Sequence, residues 1–229
     1  MFTFLEATSE TYQGHFDEFT ITQTDRLEVS IYRGSMLVAA IAFAMGSSLV
    51  LIVGPQPYIL TLLTGLLLCF ILAIGISLAT IHIYMRGLHR LLQYSWAIGS
   101  LFTAYIGITQ TEPLLATVYH QPRHLLGMGW LFVALTGIYF KEAFCFNHAE
   151  TKLLTGVVPV LLIGHLLSWL PVGVEQGLLA AWASLFLIFA IRKITKPIPP
   201  DIGDKSVFEY LQHQRRQPQS TDFEEDQTC

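Results

Sequence analysis

The stretch GIYFKEAFCFNHAETK, residues 137–152, contains side chains that commonly bind metals or exchange protons. On one continuous helix, Glu142, Cys145 and His148 would be three residues apart and would lie along a slowly turning stripe. Carboxylate, thiolate and imidazole groups all bind transition metals. The spacing of these three residues is therefore compatible with a metal site.

The supply of acidic residues argues against such a site. Di-iron bundles take carboxylates from four helices and combine them with Glu-x-x-His pairs. Between residues 34 and 191 the sequence has no aspartate and only four glutamates, so we predict no metal. We expect Lys141 to extend to the membrane surface, and Glu142 and His148 to be solvated or paired with a basic side chain. The basic partners considered are Arg86, Arg90 and Lys152.

The histidines are too far apart to share a metal or a haem. His82 and His89 share a helix face, but about 10 Å of helix axis separates them. His82 and His165 lie at membrane depths that differ by roughly 15 Å. We predict no cofactor, and we expect His165 to bond to a serine, threonine or carbonyl group. The possible functional polar positions are His82, Arg86, His89, Glu142, Cys145, His148 and His165.

The elements that carry these residues are predicted to be membrane helices. The chain is 52% apolar and 13% charged, and its mean hydropathy is +0.51. A helix needs roughly 20 apolar residues to cross a hydrocarbon layer of about 30 Å. We therefore predict an all-α, polytopic membrane protein that forms a six-helix transmembrane bundle. The six predicted spans are residues 35–53, 58–83, 92–109, 125–141, 153–170 and 174–191.

The distribution of lysine and arginine orients the predicted bundle. Basic residues near span ends stay on the cytoplasmic side of a membrane. With six spans, all of the 13 lysines and arginines except Arg123 fall on one side, so both termini are predicted to be cytoplasmic. The net charge of -4 gives no basic excess, and we expect no nucleic-acid partner.

The two chain ends are predicted to lie outside the bundle. The short amphipathic helix expected after the last span begins with a capping box made by Ser206 and Glu209, and the PIPP segment before it is expected to be extended. We expect the IPPDIGDKSVFEYL element to dock at the inner membrane face, on the protein's own bundle or on a partner protein. Its possible interaction surface consists of Asp201, Asp204, Val207, Tyr210 and Leu211. The predicted segments are an N-terminal cytoplasmic segment (1–33), the transmembrane domain (34–192), the linker and short helix (193–216) and a disordered tail (217–229).

Five stretches together carry a family resemblance. They are YQGHFDEFTITQTDR, SLATIHIYM, GIYFKEAFCFN, ETKLLT and IPPDIGDKSVFEYL. Across about residues 12–212 the chain resembles an uncharacterised family of integral membrane proteins from cyanobacteria and plastids, domain of unknown function 2301. The resemblance implies a photosynthetic host and a cyanobacterial plasma or thylakoid membrane. It implies no reaction, because the family has no assigned chemistry.

The leading hypothesis is a non-catalytic partner or assembly factor of a membrane complex, surrounded by membrane lipids. The alternative is a small-solute transporter built around Pro159, Gly164 and His165, where Pro159 is expected to kink its helix. A membrane redox enzyme is the weaker alternative. Enzyme activity is not predicted, because acid–base catalysis inside the membrane has almost no residues to use.

Overall fold

The computed structural model describes most of the chain in three stretches, residues 11–54, 56–83 and 85–207. The predicted disordered tail, residues 217–229, lies outside the described residues. The described chain divides into two compact units, and the predicted segment boundaries stay predictions. Residues 28–197 form one unit, which we call the bundle unit. Residues 11–27 and 198–207 belong to the other, which we call the terminal unit.

The described helices follow one another through short connections. A single 3-10 turn at Pro122–His124 separates two of them. In chain order they are α1 Gln23–Ile52, α2 Pro57–Thr80, α3 Arg86–Thr109, α4 Leu114–His120, α5 Leu125–Met128, α6 Trp130–Phe146, α7 Ala149–Leu166, α8 Val172–Ile194 and α9 Pro199–Ile202.

Four of these helices, α1, α2, α7 and α8, are long and apolar enough to cross a membrane. The segment Pro122–Met128 and α6 would add a fifth span if they cross as one bent pair, with 57° between them. Among the described residues α3 does not qualify, although it has 24 residues, because polar side chains such as Arg90 and Gln93 lower its hydropathy. Several membrane helices are thus confirmed, whereas the six-span count and the side of the termini are not.

Small residues let the helices of the bundle unit approach closely. A Cβ atom on Gly75 would lie 2.5 Å from the ring of Trp96, so α2 and α3 touch at this glycine. A Cβ atom on Gly99 would lie 2.4 Å from the backbone nitrogen of Leu131, so α3 and α6 meet there almost backbone to backbone. Membrane helices commonly pack through small residues in this way, because lipid supplies no hydrophobic force between them.

Aromatic rings fill the middle of the bundle unit. The ring of Phe43 in α1 lies 4.4 Å from that of Trp182 in α8, measured between centroids. Phe132 of α6 approaches the same indole edge-on at 5.3 Å, and Tyr139 lies 5.4 Å from Phe186. Edge-to-face and tilted ring pairs of this kind add stability beyond the burial of their area. They join α1, α6 and α8 along the middle of the unit.

The terminal unit contains a hairpin that the all-α prediction did not include. Strand β1, Thr11–Gln13, pairs antiparallel with β2, Glu18–Thr20. Tyr12 and Phe19 are partners across the hairpin, with ring centroids 5.8 Å apart. Cross-strand aromatic pairs stabilise short ladders, which explains how two strands of only three residues can pair. The described bundle unit is all-α, as predicted.

The second half of the PIPP segment, residues 199–200, is helical rather than extended. Pro199–Ile202 forms α9, and its two prolines occupy the first helical positions, where a missing N–H costs no hydrogen bond. Gly203, with a φ of 72°, ends this turn in a conformation that favours glycine. Glu209 and the predicted capping box lie outside the described residues.

Candidate functional site

The predicted stripe of Glu142, Cys145 and His148 is interrupted by a helix end. Helix α6 ends at Phe146, and Asn147 takes a left-handed conformation with a φ of 55°. Asparagine tolerates this conformation better than most residues, and it turns the chain so that α7 begins after His148. Cys145 is exposed, whereas the side chain of Glu142 is 0% exposed. The structure therefore does not bring the three candidate metal ligands together.

Glu142 lies instead among basic and aromatic side chains from three helices. Its Oε1 accepts hydrogen bonds from Lys141 Nζ and from the Tyr32 hydroxyl, each at 3.0 Å. Its Oε2 accepts a hydrogen bond from Lys193 Nζ. The prediction that Glu142 is solvated, or paired with one of the basic partners considered above, is wrong. We call Tyr32, Lys141, Glu142, Phe146 and Lys193 the buried-charge cluster.

Phe146 covers the two ammonium groups of this cluster. Lys193 Nζ lies 3.8 Å from the centroid of its ring, and Lys141 Nζ lies 5.8 Å from it. Both distances allow cation–π attraction, which is stronger for desolvated cations. The side chain of Lys141 is only 10% exposed, and its Nζ bonds to Glu142 within the bundle unit; the expectation that it extends to the membrane surface stays a prediction.

The cluster surrounds one carboxylate with two ammonium groups. Removing a charge from water costs several kcal/mol, and the cost is offset only where opposite charges and hydrogen bonds replace the water. Glu142 meets this condition, because both of its oxygens accept hydrogen bonds. Chemically, the arrangement can hold three helices together.

Sequence reasoning missed two members of the cluster. Tyr32 and Lys193 are 110 and 51 positions away from Glu142, so no local spacing links them to it. The available signal was the low number of acidic residues in the spans, since a buried carboxylate must find a cation. That signal identifies Glu142 as unusual without naming its partners.

A second ion pair lies at the same end of the bundle unit. Arg192 Nη1 is 2.9 and 3.0 Å from the two carboxylate oxygens of Glu150. The neighbouring His148 stacks on Phe146, with centroids 6.1 Å apart and planes inclined by 9°. Partial burial lowers the pKa of His148, and the positive charges of Arg192 and Lys196 lower it further against the opposing effect of Glu150. His148 is therefore held in its neutral form to lower pH than an ordinary histidine.

The polar residues around the junction of α2 and α3 form local contacts. His82 Nε2 lies 3.2 Å from Glu28 Oε2. His89 Nε2 lies 2.6 Å from the carbonyl oxygen of Leu78, in the last turn of α2, where carbonyl groups lack helical partners. Arg86 is exposed at the start of α3. These residues do not gather around one point.

His165 lies at the other end of α7 and pairs with Glu175 of α8. Its Nδ1 is 2.7 Å from Glu175 Oε1, and the two side chains are 18% and 14% exposed. The ring of Tyr119 stacks on the imidazole with centroids 5.0 Å apart. The expected bond to a serine, threonine or carbonyl group is thus replaced by a carboxylate across the α7–α8 turn. In the part of the chain that the structure describes, no group of three histidine, cysteine, aspartate or glutamate side chains is placed to hold a metal.

Asp204 joins the two segments of the terminal unit. Its Oδ2 accepts the backbone N–H of His15 at 2.6 Å, and its Oδ1 accepts the hydroxyl and the N–H of Ser206 at 2.6 and 2.9 Å. Ser206 Oγ in turn accepts the N–H of Phe16 at 3.1 Å. These bonds, led by that from the Ser206 hydroxyl, lower the pKa of Asp204 below its ordinary value. The linker therefore docks on the hairpin loop.

The rest of the predicted interaction surface is only partly described. Asp201 is 5% exposed, and Val207 is half-buried. Between them, Lys205 forms an ion pair with Asp25 at the start of α1. Tyr210 and Leu211 lie outside the described residues.

Comparison with known proteins identifies the family. The model of an uncharacterized integral membrane protein family, DUF2301, matches residues 76–210, which is more than half of the chain. The chain belongs to this family. A protein of Haemophilus influenzae described as an uncharacterized protein is 31% identical over 192 residues, covering 81% of this chain and 92% of the relative. A restriction of the DUF2301 family to cyanobacteria and plastids is therefore not shown. No solved structure matches the chain.

The DUF2301 match includes most of the charged groups described above. Lys141, Glu142 and Lys193 of the buried-charge cluster lie within residues 76–210, whereas Tyr32 precedes them. Asp204 also lies within the match, but the hairpin loop that it binds does not. The buried-charge cluster and the contact of Asp204 with the hairpin loop therefore each join residues inside the DUF2301 match to residues nearer the N-terminus.

Proposed function

We propose that this DUF2301 protein is a non-catalytic membrane protein that binds another membrane protein complex through its terminal unit. The observation that carries the proposal is the bonding of Asp204 and Ser206 to the hairpin loop, across 189 and 190 positions of sequence. Ordering two distant segments costs conformational entropy, so the bonds that hold them must offset that cost. A membrane anchor alone needs no such structure outside its helices.

The surface of the hairpin is suited to protein recognition. The side chain of Phe16 is 48% exposed at the loop, and the acidic residues Asp17 and Glu18 follow it directly. An aromatic side chain among charged neighbours is a common feature of binding hot spots and of the polar rims around them. Gly14 keeps the loop close to the linker, since a Cβ atom there would lie 2.4 Å from Ser206 Oγ.

The interior of the bundle unit supports a structural role for its charges. The oxygens of Glu142 accept hydrogen bonds from three side chains of the same protein. Packed aromatic rings, among them Tyr139 and Trp182, fill the middle of the bundle unit beyond Glu142. The carboxylate of Glu142 is therefore used within the protein, which supports a non-catalytic role.

A test of the proposal combines site-specific photo-crosslinking with purification in mild detergent. A photo-reactive residue at the exposed Gln13 is expected to crosslink to a subunit of a stoichiometric complex, whereas one at the exposed Thr111 is not. Asp204→Ala is expected to abolish both the crosslink and co-purification. Glu112→Ala, on the loop before α4, is the matched control and should change neither. A complex that survives Asp204→Ala unchanged would show that the terminal unit does not bind the partner.

Small-solute transport is a second candidate. The observation that favours it is the His165–Glu175 pair beside Gly164, because ionisable side chains within membrane-helix bundles often mark substrate or ion pathways. Uptake into proteoliposomes that is lost in Glu175→Gln would support transport. The third hypothesis, a membrane redox enzyme, gains no support from the described residues. Binding of a membrane complex, as proposed above, requires neither a photosynthetic host nor a thylakoid membrane.

A further inference from the structure

An apolar groove opens on the bundle unit between α6 and α7. Its volume is about 400 Å³, within the range of roughly 300–1,000 Å³ that is typical of small-molecule sites. Its walls include Trp130 and Val133 from α6, and Pro159 and Ile163 from α7. Apart from Thr136, the side chains that line it are apolar. The groove is therefore suited to a hydrocarbon chain rather than to a polar solute.

The bend before α6 explains why the groove exists. The segment Pro122–Met128 meets α6 at an angle of 57°, so Leu125 and Leu126 form the end wall of the groove instead of continuing the helix. On the opposite wall, Pro159 lies inside α7 and removes one helical hydrogen bond. The two irregular backbones face each other, and neither fills the space between them.

A positively charged residue lies just before the segment that forms the end wall of the groove. Arg123 lies in the 3-10 turn directly before Leu125, and this turn also packs against α7. Arg123 is exposed, and its Nη2 donates to Gln121 Oε1 at 2.9 Å, which orients the guanidinium. Between Arg90 and Lys141 the sequence contains no other lysine or arginine. Arg123 is thus the basic residue nearest in sequence to the segments that line the groove.

We propose that this groove binds one acyl chain of an anionic phospholipid whose phosphate is held by Arg123. Helix α7 qualifies as a membrane span, and α6 qualifies as part of the bent pair, so lipid chains are the apolar molecules available to the groove between them. A guanidinium offers several donors in a plane and binds phosphate oxygens in pairs. Trp130, 40% exposed, belongs to the groove wall, and tryptophan is commonly found at the headgroup level of membranes.

Native mass spectrometry of the purified full-length protein with added phosphatidylglycerol or phosphatidylcholine tests both parts of the proposal. The unaltered protein is expected to retain one phosphatidylglycerol in preference to phosphatidylcholine. Arg123→Gln should reduce this preference about fivefold, as expected for one basic residue near a lipid phosphate. Arg90→Gln, which removes an exposed arginine from α3, is the matched control and should leave the preference unchanged.

Filling the groove tests the acyl chain separately. Val133→Trp and Leu126→Trp place an indole in the groove and should reduce retention of both lipids. Val160→Trp changes an exposed valine of α7 outside the groove and should have no effect. Thermal unfolding in detergent identifies any variant that fails to fold. If one of the two tryptophan variants does not fold, lipid retention by the other one tests the groove. Normal retention in a folded filling variant would overturn the groove as the site, and an equal effect of Arg90→Gln and Arg123→Gln would overturn the role of Arg123.

Discussion

The two ends of the bundle unit hold their charged groups in different ways. At one end, Glu142 binds side chains of α1, α6 and α8, and its own side chain is 0% exposed. At the other end, His165 and Glu175 are ten positions apart, join two consecutive helices and are 18% and 14% exposed. The first set can therefore fix the arrangement of distant helices, whereas the second fixes one helical hairpin.

The difference in burial also separates the two ends energetically. Breaking a buried ion pair leaves the remaining charge without compensation, and the measured cost is about 3–5 kcal/mol. A partly solvated pair can replace its partner with water and is worth much less. The comparison predicts that the bundle unit tolerates loss of charge at the His165 end better than at the Glu142 end.

The largest effect is expected for Glu142→Gln. The amide keeps the shape of the side chain but removes the negative charge between Lys141 and Lys193. We expect the free energy of unfolding in detergent to fall by about 3–5 kcal/mol. Thermal or denaturant unfolding followed by size-exclusion chromatography measures the loss.

A double variant distinguishes charge from shape at this site. Adding Lys193→Gln to Glu142→Gln removes one of the two positive charges that the carboxylate balances, and it should restore part of the lost stability. If the double variant is less stable than the unaltered protein by the full sum of the two single effects, the two side chains do not interact, and the buried-charge cluster loses its proposed role.

A change at Gly99 tests packing without touching either charged end. The Cβ atom of Gly99→Ala would lie 2.4 Å from the backbone nitrogen of Leu131, so α3 and α6 must separate. Overpacking of this kind costs about 1–3 kcal/mol. Gly107→Ala is the matched control on the same helix, because its Cβ atom would make an ordinary contact at 3.4 Å. Equal stabilities of the two variants would show that the close approach of α3 and α6 is not needed.

The pair at the other end should contribute less than the Glu142–Lys193 pair. In a double-variant cycle, His165→Ala and Glu175→Ala are expected to have a coupling energy of about 1 kcal/mol, the usual net value of one hydrogen bond. Unfolding free energies of the two single variants and the double variant provide this number. A coupling energy as large as that of Glu142 with Lys193 would remove the distinction between the two ends.

The helices were more predictable than the contacts between them. Long apolar runs identified α1, α2, α7 and α8 as membrane helices because hydropathy is a local property. The run at residues 92–109 forms most of α3, but its polar residues keep it below the level of the other spans. The hairpin at Thr11–Thr20 was missed because three-residue strands give almost no periodic signal.

The site was less predictable because its contacts are distant in sequence. The spacing of Glu142, Cys145 and His148 suggested one stripe, but Asn147 ends the helix between them. The partners Tyr32 and Lys193 come from other helices, and only the packing of those helices brings them to the carboxylate. Sequence spacing identifies a chemically unusual residue, whereas the fold decides which groups it meets.

The smallest expected effect is a pH dependence at His148, beside the Glu142 end. Its pKa in the folded protein is lowered by partial burial and by neighbouring positive charges, while in the unfolded chain it is near the ordinary value of about 6.5. As the pH falls below about 6.5, the unfolded chain therefore binds a proton at His148 that the folded protein does not bind. Stability must decrease in this window, because the proton favours the unfolded state. Unfolding measured between about pH 7.5 and 5 should show a shallower loss of stability for His148→Gln than for the unaltered protein, with the exposed His120→Gln as the matched control. An identical slope for His148→Gln and the unaltered protein would mean that partial burial and the neighbouring positive charges do not shift the pKa of His148, and that the electrostatic contrast between the two ends is confined to the buried-charge cluster.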